Sequence, residues 1–452
     1  MAEDRENGEM TGFRKTDGFD LIFDLIVVGG GPSGLFCALS CAGEGGRKIL
    51  VLEKNSSPGR KLLISGMGHC NITHDGDMQS FLHHYGDRGR FLRPALLGFS
   101  NQDLVAFFKE RGLSMVQKEN GKIFPDTERS ADVLEILTTE CRKRGIEIRC
   151  GRAASSIVKS DDGFSVSAWW EGRSEGRRES YFCKMLALAT GGCSYPATGS
   201  SGDGYEFARL LGHSIVDIGP ALVPVAIQDY PFSELAGISL ADTKVSLYRR
   251  AKIREICGDI LFTHTGLSGP AILDLSRYIM TGDTLKLSIA AERQRGELEK
   301  WLVKIGGNSG GLSLQSRLSE LPLPKPLPAR LIKGIMQLSG IPPGLQPAQL
   351  SREMRNALLE NLIALPLVVS GTGGYNQAMT TRGGVDTREV DPRTMQSRLV
   401  NGLYLLGEVL DVDGDCGGYN LQAAFSTAML AARSIKSRLA GEIPDPKSHQ
   451  NL

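Results

Sequence analysis

The stretch that most restricts what this chain can fold into is "DLIVVGGGPSGLFCALS", Asp24–Ser40. A short run of branched apolar residues, Leu25–Val28, reads as a buried parallel strand. It ends at Gly29, Gly31 and Gly34, spaced G-x-G-x-x-G, and "LFCALSCA" after them reads as a helix. A second apolar run, Ile49–Leu52, ends at the acid Glu53. Strand, glycine loop, helix and strand, closed by an acid about 20 residues past the glycines, make up the dinucleotide-binding fingerprint. Gly29 makes the tight turn, Gly31 lets backbone approach a pyrophosphate, and Gly34 lets the helix pack closely. Pro32 and Ser33 open the helix, whose free N–H groups and positive partial charge favour a phosphate. Glu53 is the candidate acceptor for an adenosine ribose, with Lys54 beside it. The loop alone does not separate FAD from NAD.

The following segment separates them. In "NSSPGRKLLISGMGHCNITH", Asn55–His74, a plain NAD unit would proceed to its next helix. Instead there is a basic pair, Arg60 and Lys61, and then Ser65, Gly66, Met67, Gly68, His69, Cys70 and Asn71. Glycines here allow backbone to lie against a flat ring or a ribityl chain. This segment resembles the BaiN-type (YhiN-like) NAD(P)/FAD-dependent oxidoreductases, also called the aminoacetone oxidase family of FAD-binding enzymes. Their pattern is close to G-R-K-x-x-x-S-G-G-G-R-C-N-x-T-N. Met67, His69 and His74 depart from it, standing where the family has Gly, Arg and Asn.

The resemblance extends from about Asp24 to Ile435. "GKIFPDTERSADVLEIL" is similar to a family segment that precedes a helix, and "LALATGGCSYPATG" to its A-T-G-G motif, which brings Thr190, Gly191 and Gly192 to the cofactor. "MTTRGGVD" is similar to V-T-x-G-G-V and adds Gly383. "NGLYLLGEVLDVDGDCGGYNLQAAFS" is nearly the family pattern. Its strand ends at Gly407 and Glu408, and an acid at this place in FAD folds holds the ribityl hydroxyls. Gly417, Gly418, Tyr419, Asn420, Leu421 and Gln422 then open a helix. A helix N-terminus there can stabilise the negative charge that appears at the flavin N1–O2 edge on reduction. Two glycine-rich helix entrances at opposite ends of the chain are thus expected to grip the two ends of one FAD.

With 452 residues, the chain exceeds the size at which a single core divides. Between about Leu211 and Val369 the alternation of strand and helix gives way to short strand-like runs, "HSIVDI", "LVPVAI", "TKVSLYR", "GDILFTH" and "TLKLSIA", and then to helical segments broken by prolines. The expected fold class is α/β: a Rossmann-like FAD-binding domain of the two-dinucleotide-binding-motif type, interrupted by an inserted β-barrel plus helical domain. The expected divisions are a flexible extension over 1–20, FAD-binding parts over 21–210 and 372–440, the insert over 211–371, and a tail over 441–452.

Nine cysteines without a C-x-x-C pair leave a zinc ribbon or dithiol centre unsupported and point to reduced thiols in a cytoplasm. No metal motif is present, no apolar run reaches about 18 residues, and no membrane span is expected. A net charge of +1 gives no global field toward nucleic acid. No second G-x-G-x-x-G occurs, so NAD(P)H, as electron donor, would have to dock transiently. The resemblance implies reduction of an activated C=C bond in a small enone-like substrate or a uracil ring of ribosomal RNA; the older family label implies amine oxidation. RNA modification and a non-catalytic redox flavoprotein are the alternatives. The catalytic residue is unknown from sequence, with His264, Cys70 and His69 the candidates, and no feature sets an oligomeric state.

Overall fold

The computed structural model describes residues 22–43, 46–170, 177–306 and 312–442. The expected extension over 1–20 and all but the first two residues of the tail over 441–452 lie outside the described residues. Ile22–Val28 is a strand, Pro32–Ala42 a helix and Ile49–Leu52 a second strand, parallel to the first from Leu25↔Ile49 to Val28↔Leu52. The helix packs against two others, Ser130–Lys143 and Tyr419–Leu439. That explains why it is apolar nearly all round, with Leu35, Phe36, Cys37 and Ala38 fully buried.

The central sheet has seven strands. Glu147–Arg149, Ile49–Leu52, Ile22–Val28 and Arg177–Leu188 run parallel in that order. The long Arg177–Leu188 strand then divides its other edge. Its first part pairs antiparallel with Gly163–Trp170, which turns back to Arg152–Ser160. Its last three residues, Leu186–Leu188, pair in parallel with Leu403–Leu405. The strands before Gly29, Thr190 and Gly407 therefore lie side by side and end together. Ligands of open α/β sheets bind outside such carboxyl ends.

The alternating runs of the middle region close a six-stranded barrel in the order Val225–Ile227, Gly266–Ser268, Lys252–Phe262, Ser239–Tyr248, Thr284–Ser288, Leu365–Thr372. Val245, Leu247, Leu285 and Leu287, every second residue of their strands, are fully buried inside it. The helices Arg295–Gly306, Ala329–Leu338 and Arg352–Ala364 complete a second hydrophobic core, distinct from that around the seven-stranded sheet. The "HSIVDI" run does not enter the barrel. Ile215–Ala221 pairs antiparallel with Thr380–Val385, so the segments that leave and rejoin the larger core form one ribbon. Among the described residues no helix is long and apolar enough to cross a membrane.

Candidate cofactor cleft and active site

The first glycine loop is shaped by contacts its glycines alone permit. Gly29 has φ +109°, and a Cβ there would lie 2.4 Å from the Ala189 carbonyl oxygen. A Cβ on Gly34 would lie 2.0 Å from the Gly29 carbonyl oxygen, so the helix rests on the loop. Gly31 differs, since nothing lies within 4 Å of its Cβ position, which opens into a cleft. The Gly30 N–H donates to Glu53 Oε2 at 2.9 Å, and Asn55 donates to Oε1 through its N–H at 2.8 Å and its side-chain amide at 2.6 Å. Three donors fill three of about four carboxylate acceptor sites and leave room for one more.

The far entrance opens into the same cleft, a cavity of about 600 Å³ lined by Gly29, Gly31, Glu53, Gly407, Gly417 and Gly418 among others. Gly418 (φ +94°) packs its backbone on Thr73, where any Cβ would approach within 2.5 Å. The helices Pro32–Ala42 and Tyr419–Leu439 both begin at this cleft, and neither has a side-chain cap. Their first-turn N–H groups are thus left to a ligand or to water.

Between the two entrances runs a polar seam. Glu408 Oε1 accepts from Lys61 Nζ at 3.0 Å, Ser194 Oγ at 2.9 Å, Thr380 Oγ1 at 3.2 Å and the Thr381 N–H at 2.9 Å. Among the described residues its Oε2 holds Lys61 alone, at 2.7 Å. This acid ties the Arg60–Ile64 helix, the A-T-G-G turn and the returning ribbon to the strand it follows. Lys54 is paired with Asp203 at 2.7 Å.

Of the residues expected at a cofactor, Pro32, Ser33, Lys54, Arg60, Lys61, Ser65, Gly66, Asn71, Thr190, Gly191, Glu408, Asn420 and Leu421 also line the cleft. Gly34, Gly68, Cys70, Gly192, Gly383, Tyr419 and Gln422 are not part of its lining. Gly192 is held against Thr381, and Gly383 against the Asp217 carbonyl in the ribbon. The Tyr419 ring is stacked between His74 and His84, with centroids 5.2 and 4.0 Å away. Gln422, fully buried, binds Thr73 Oγ1 and the Phe99 carbonyl.

The three catalytic candidates also lie outside the lining. Cys70 is fully buried, and burial pushes its thiol up to about 12, which leaves it protonated and unreactive near neutral pH. His69 is exposed, its Nδ1 3.0 Å from the Glu128 carbonyl oxygen. His264 is exposed at the turn between two barrel strands. Motif proximity points to all three, and the fold brings none of them into the lining of this cleft.

The structure adds residues that sequence reasoning missed. The barrel contributes a helix, Pro270–Ser276, whose Asp274 accepts the Cys416 N–H at 2.6 Å. Just past it, Arg277 donates to the Asp413 carbonyl at 3.0 Å and to Asp415 Oδ1 at 2.7 Å, and its Nε lies 3.1 Å from Asp413 Oδ2. His84 Nδ1 is 2.9 Å from the other Asp415 oxygen. The barrel therefore grips the loop that carries Asp415, Cys416 and Gly417 into the cleft. Burial pushes the Asp274 carboxyl up to about 7, and the Asp415 charge adds to this against the Cys416 N–H, Arg277 and His84. Burial likewise raises the Cys416 thiol, while Lys122, another cleft residue, draws it down. "SGPAILDLSR" and "GKIFP" carried the only signal: charged residues in otherwise apolar stretches.

The residues present fit FAD. Two uncapped helix N-termini face one cleft, open space lies where Gly31 lacks a side chain, and Thr190 Oγ1 is buried there without a hydrogen-bond partner among the described residues. Comparison with known proteins agrees. The profile of the HI0933-like protein Rossmann domain matches residues 23–434. A ribosomal RNA dihydrouridine synthase of Escherichia coli (strain K12) is 33% identical over 417 residues, 91% of this chain and 98% of that protein. A 3-dehydro-bile acid delta(4,6)-reductase of Clostridium scindens is 31% identical over 419 residues, again 91% and 98%. A 3-ketosteroid-delta4-(5alpha)-dehydrogenase from Rhodococcus jostii RHA1, solved with 4-androstene-3,17-dione, superposes with a TM-score of 0.50 at 14% identity, covering 93% of this chain and 98% of that one. That likeness speaks to the fold alone.

Proposed function

This chain belongs to the HI0933-like Rossmann family of FAD-dependent oxidoreductases, and from that premise we propose that it reduces an electron-poor C=C bond with electrons from NAD(P)H. The observation that carries the reading is the single cleft lined by both glycine-rich helix entrances. When bound, FAD supplies a hydride donor at its ring. The protein's part is binding, orientation and electrostatics. Gly31 and the Pro32–Ala42 N-terminus would hold the pyrophosphate, Glu53 a ribose hydroxyl at its remaining acceptor site, and Glu408, oriented by Lys61, Ser194 and Thr381, the ribityl chain through Oε2. The uncapped N-terminus of Tyr419–Leu439 offers N–H groups to negative charge at the pyrimidine edge. Arg277 and Asp274 hold the loop that makes this edge.

The sequence has a single G-x-G-x-x-G, so a nicotinamide donor and the acceptor would have to enter the same cleft in turn. The C. scindens reductase, similar over nearly its whole length, supports an enone as acceptor. Anaerobic mixing of FAD-loaded protein with NADH or NADPH tests the reading. Loss of flavin absorbance, and its return on adding an enone, is expected. No loss with either nucleotide would end it.

A second reading, reduction of uracil in RNA, is favoured by the E. coli relative and by a 33% identical ribosomal RNA dihydrouridine synthase of Haemophilus influenzae. Loss of dihydrouridine from the ribosomal RNA of a strain lacking this protein would establish it.

A further inference from the structure

His74 stands where the family pattern has Asn, and both of its ring nitrogens face carbonyl oxygens. Nδ1 lies 2.8 Å from the oxygen of Asp75 and Nε2 3.0 Å from that of Asn120. A carbonyl oxygen only accepts. A neutral imidazole donates through one nitrogen and would turn a lone pair toward the second oxygen, whereas an imidazolium donates through both. Two acceptors on opposite sides of one ring therefore favour the charged form, and the Asn of the family pattern would bring no charge to this place.

The ring is also fixed in position. The strand Thr73–His74 pairs antiparallel with Lys122–Pro125, which sets His74 opposite Lys122. The imidazole stacks on the Tyr419 ring, 5.2 Å between centroids and 16° between planes, and a cation over an aromatic face is attracted by it. A Cβ on Gly121 would lie 2.3 Å from His74 Cε1, and one on Gly417 would lie 3.3 Å from His74 Cδ2. Gly417 lines the cleft and His74 does not, so the imidazole sits just behind the wall of the ring-facing entrance. No carboxylate is bonded to it among the described residues. Asp75 accepts from the Gln117 amide, and Asp415, on the far side of Tyr419, is held by Arg277 and His84. Lys122 is itself a cation. A positive charge beside a helix N-terminus is unfavourable on its own account, and here it adds to the N-terminus of Tyr419–Leu439 and to Lys122, so all three favour an anion at that entrance.

We propose that His74 is held as an imidazolium behind Gly417 and that its charge shifts bound FAD toward the reduced form, by favouring the negative charge that appears at the pyrimidine edge on reduction. This rests on the placement of that edge at Gly417–Gly418 in the reading above and adds the residue that tunes the cofactor. His74 acts through its field across the Gly417 backbone, and the effect is independent of which donor or acceptor the protein uses.

The test uses FAD-loaded protein at neutral pH without nicotinamide nucleotide or acceptor. In protein carrying isotope-labelled histidine, the ring signals lost in His74→Asn identify His74, and both of its nitrogens should carry a proton. A single protonated nitrogen would overturn the proposal. The flavin midpoint potential is then measured by reductive titration with dithionite. His74→Asn should weaken the preference for reduced over oxidised FAD about tenfold, the order expected of one unit charge behind a cleft wall, which lowers a two-electron potential by about 30 mV. His74→Lys restores a charge and should keep most of the unmodified potential. An unchanged potential in His74→Asn would overturn the proposal. So would equal falls in the Asn and Lys variants, which would trace the effect to lost packing on Tyr419. Failure of both nicotinamide nucleotides to reduce the flavin would end the reductase reading and leave these potentials, and the role of His74, as measured.

Discussion

Replacing Asp274 by Asn should make the protein more resistant to unfolding, and increasingly so as the pH rises. Asp274 lies under the cleft loop, where the Cys416 N–H donates to it, and Asp415, Arg277, His84 and Tyr419 surround it. Its carboxyl is raised from 3.8 to about 7, chiefly by burial. The folded state therefore binds more protons than the unfolded state between those values. The associated stability is fully present below 3.8 and is lost as pH climbs through about 7. At about 1.4 kcal/mol per pKa unit the full loss is about 4 kcal/mol. Some of it has already occurred at pH 5, because the unfolded chain is ionised there, and about 2–3 kcal/mol remains to be lost between roughly pH 5 and 8. Asn keeps an oxygen for the Cys416 N–H and cannot titrate. With roughly 2.1 cal/mol/K of unfolding entropy per residue over 452 residues, the advantage of the variant should grow by about 3 °C in Tm across that interval. Paired calorimetric scans of both proteins, saturated with FAD at each pH, provide the measurement. A gap that stays constant from pH 5 to 8 would refute the reasoning.

Arg277→Met leaves Asp413, 12% exposed at its side chain, without its counter-charge, and should cost about 3 kcal/mol, read as a lower unfolding midpoint at pH 8 that Arg277→Lys partly restores. Gly31→Val places a branched side chain in the open space of the cleft and should weaken FAD at least about a hundredfold in a binding titration, with the fold retained in circular dichroism. Under native conditions a thiol reagent should label exposed Cys257 well before Cys70, Cys141 or Cys183, which are fully buried with thiols raised by burial; labelling of Cys70 on unfolding alone is the check.

The parts of the site that were legible in the sequence are those fixed by local backbone demands. Gly29, Gly34 and Gly418 occupy positions where any side chain would strike a backbone atom, so the glycine spacing itself records the close approach. Glu53 was legible because its strand is short and its distance from the loop follows from one crossover helix. Residues that act across the fold left no such trace. Glu408 was expected to hold ribityl hydroxyls, but its four partners come from three other segments, and Ser194 and Thr381 looked like ordinary turn and strand residues. Asp274 and Arg277 belong to a barrel helix, and only the packing of that helix against residues 413–416 gives them meaning. His69 and Cys70 sit within a cleft motif, yet one side chain points outward and the other into the core, a distinction set by the positive φ values at Met67 and Cys70. The "HSIVDI" run was read as one of the strands of the middle region because alternation alone cannot say which partner a strand will find.

The most direct test of the account is the structure of the protein crystallised with FAD. One molecule should lie along the cleft, its pyrophosphate at Gly31 and the start of Pro32–Ala42, its adenosine ribose at Glu53, and its ring edge against Gly417–Gly418. A flavin bound elsewhere, or one whose ring turns away from the Tyr419–Leu439 N-terminus, would contradict the claim that the two glycine-rich entrances serve a single ligand.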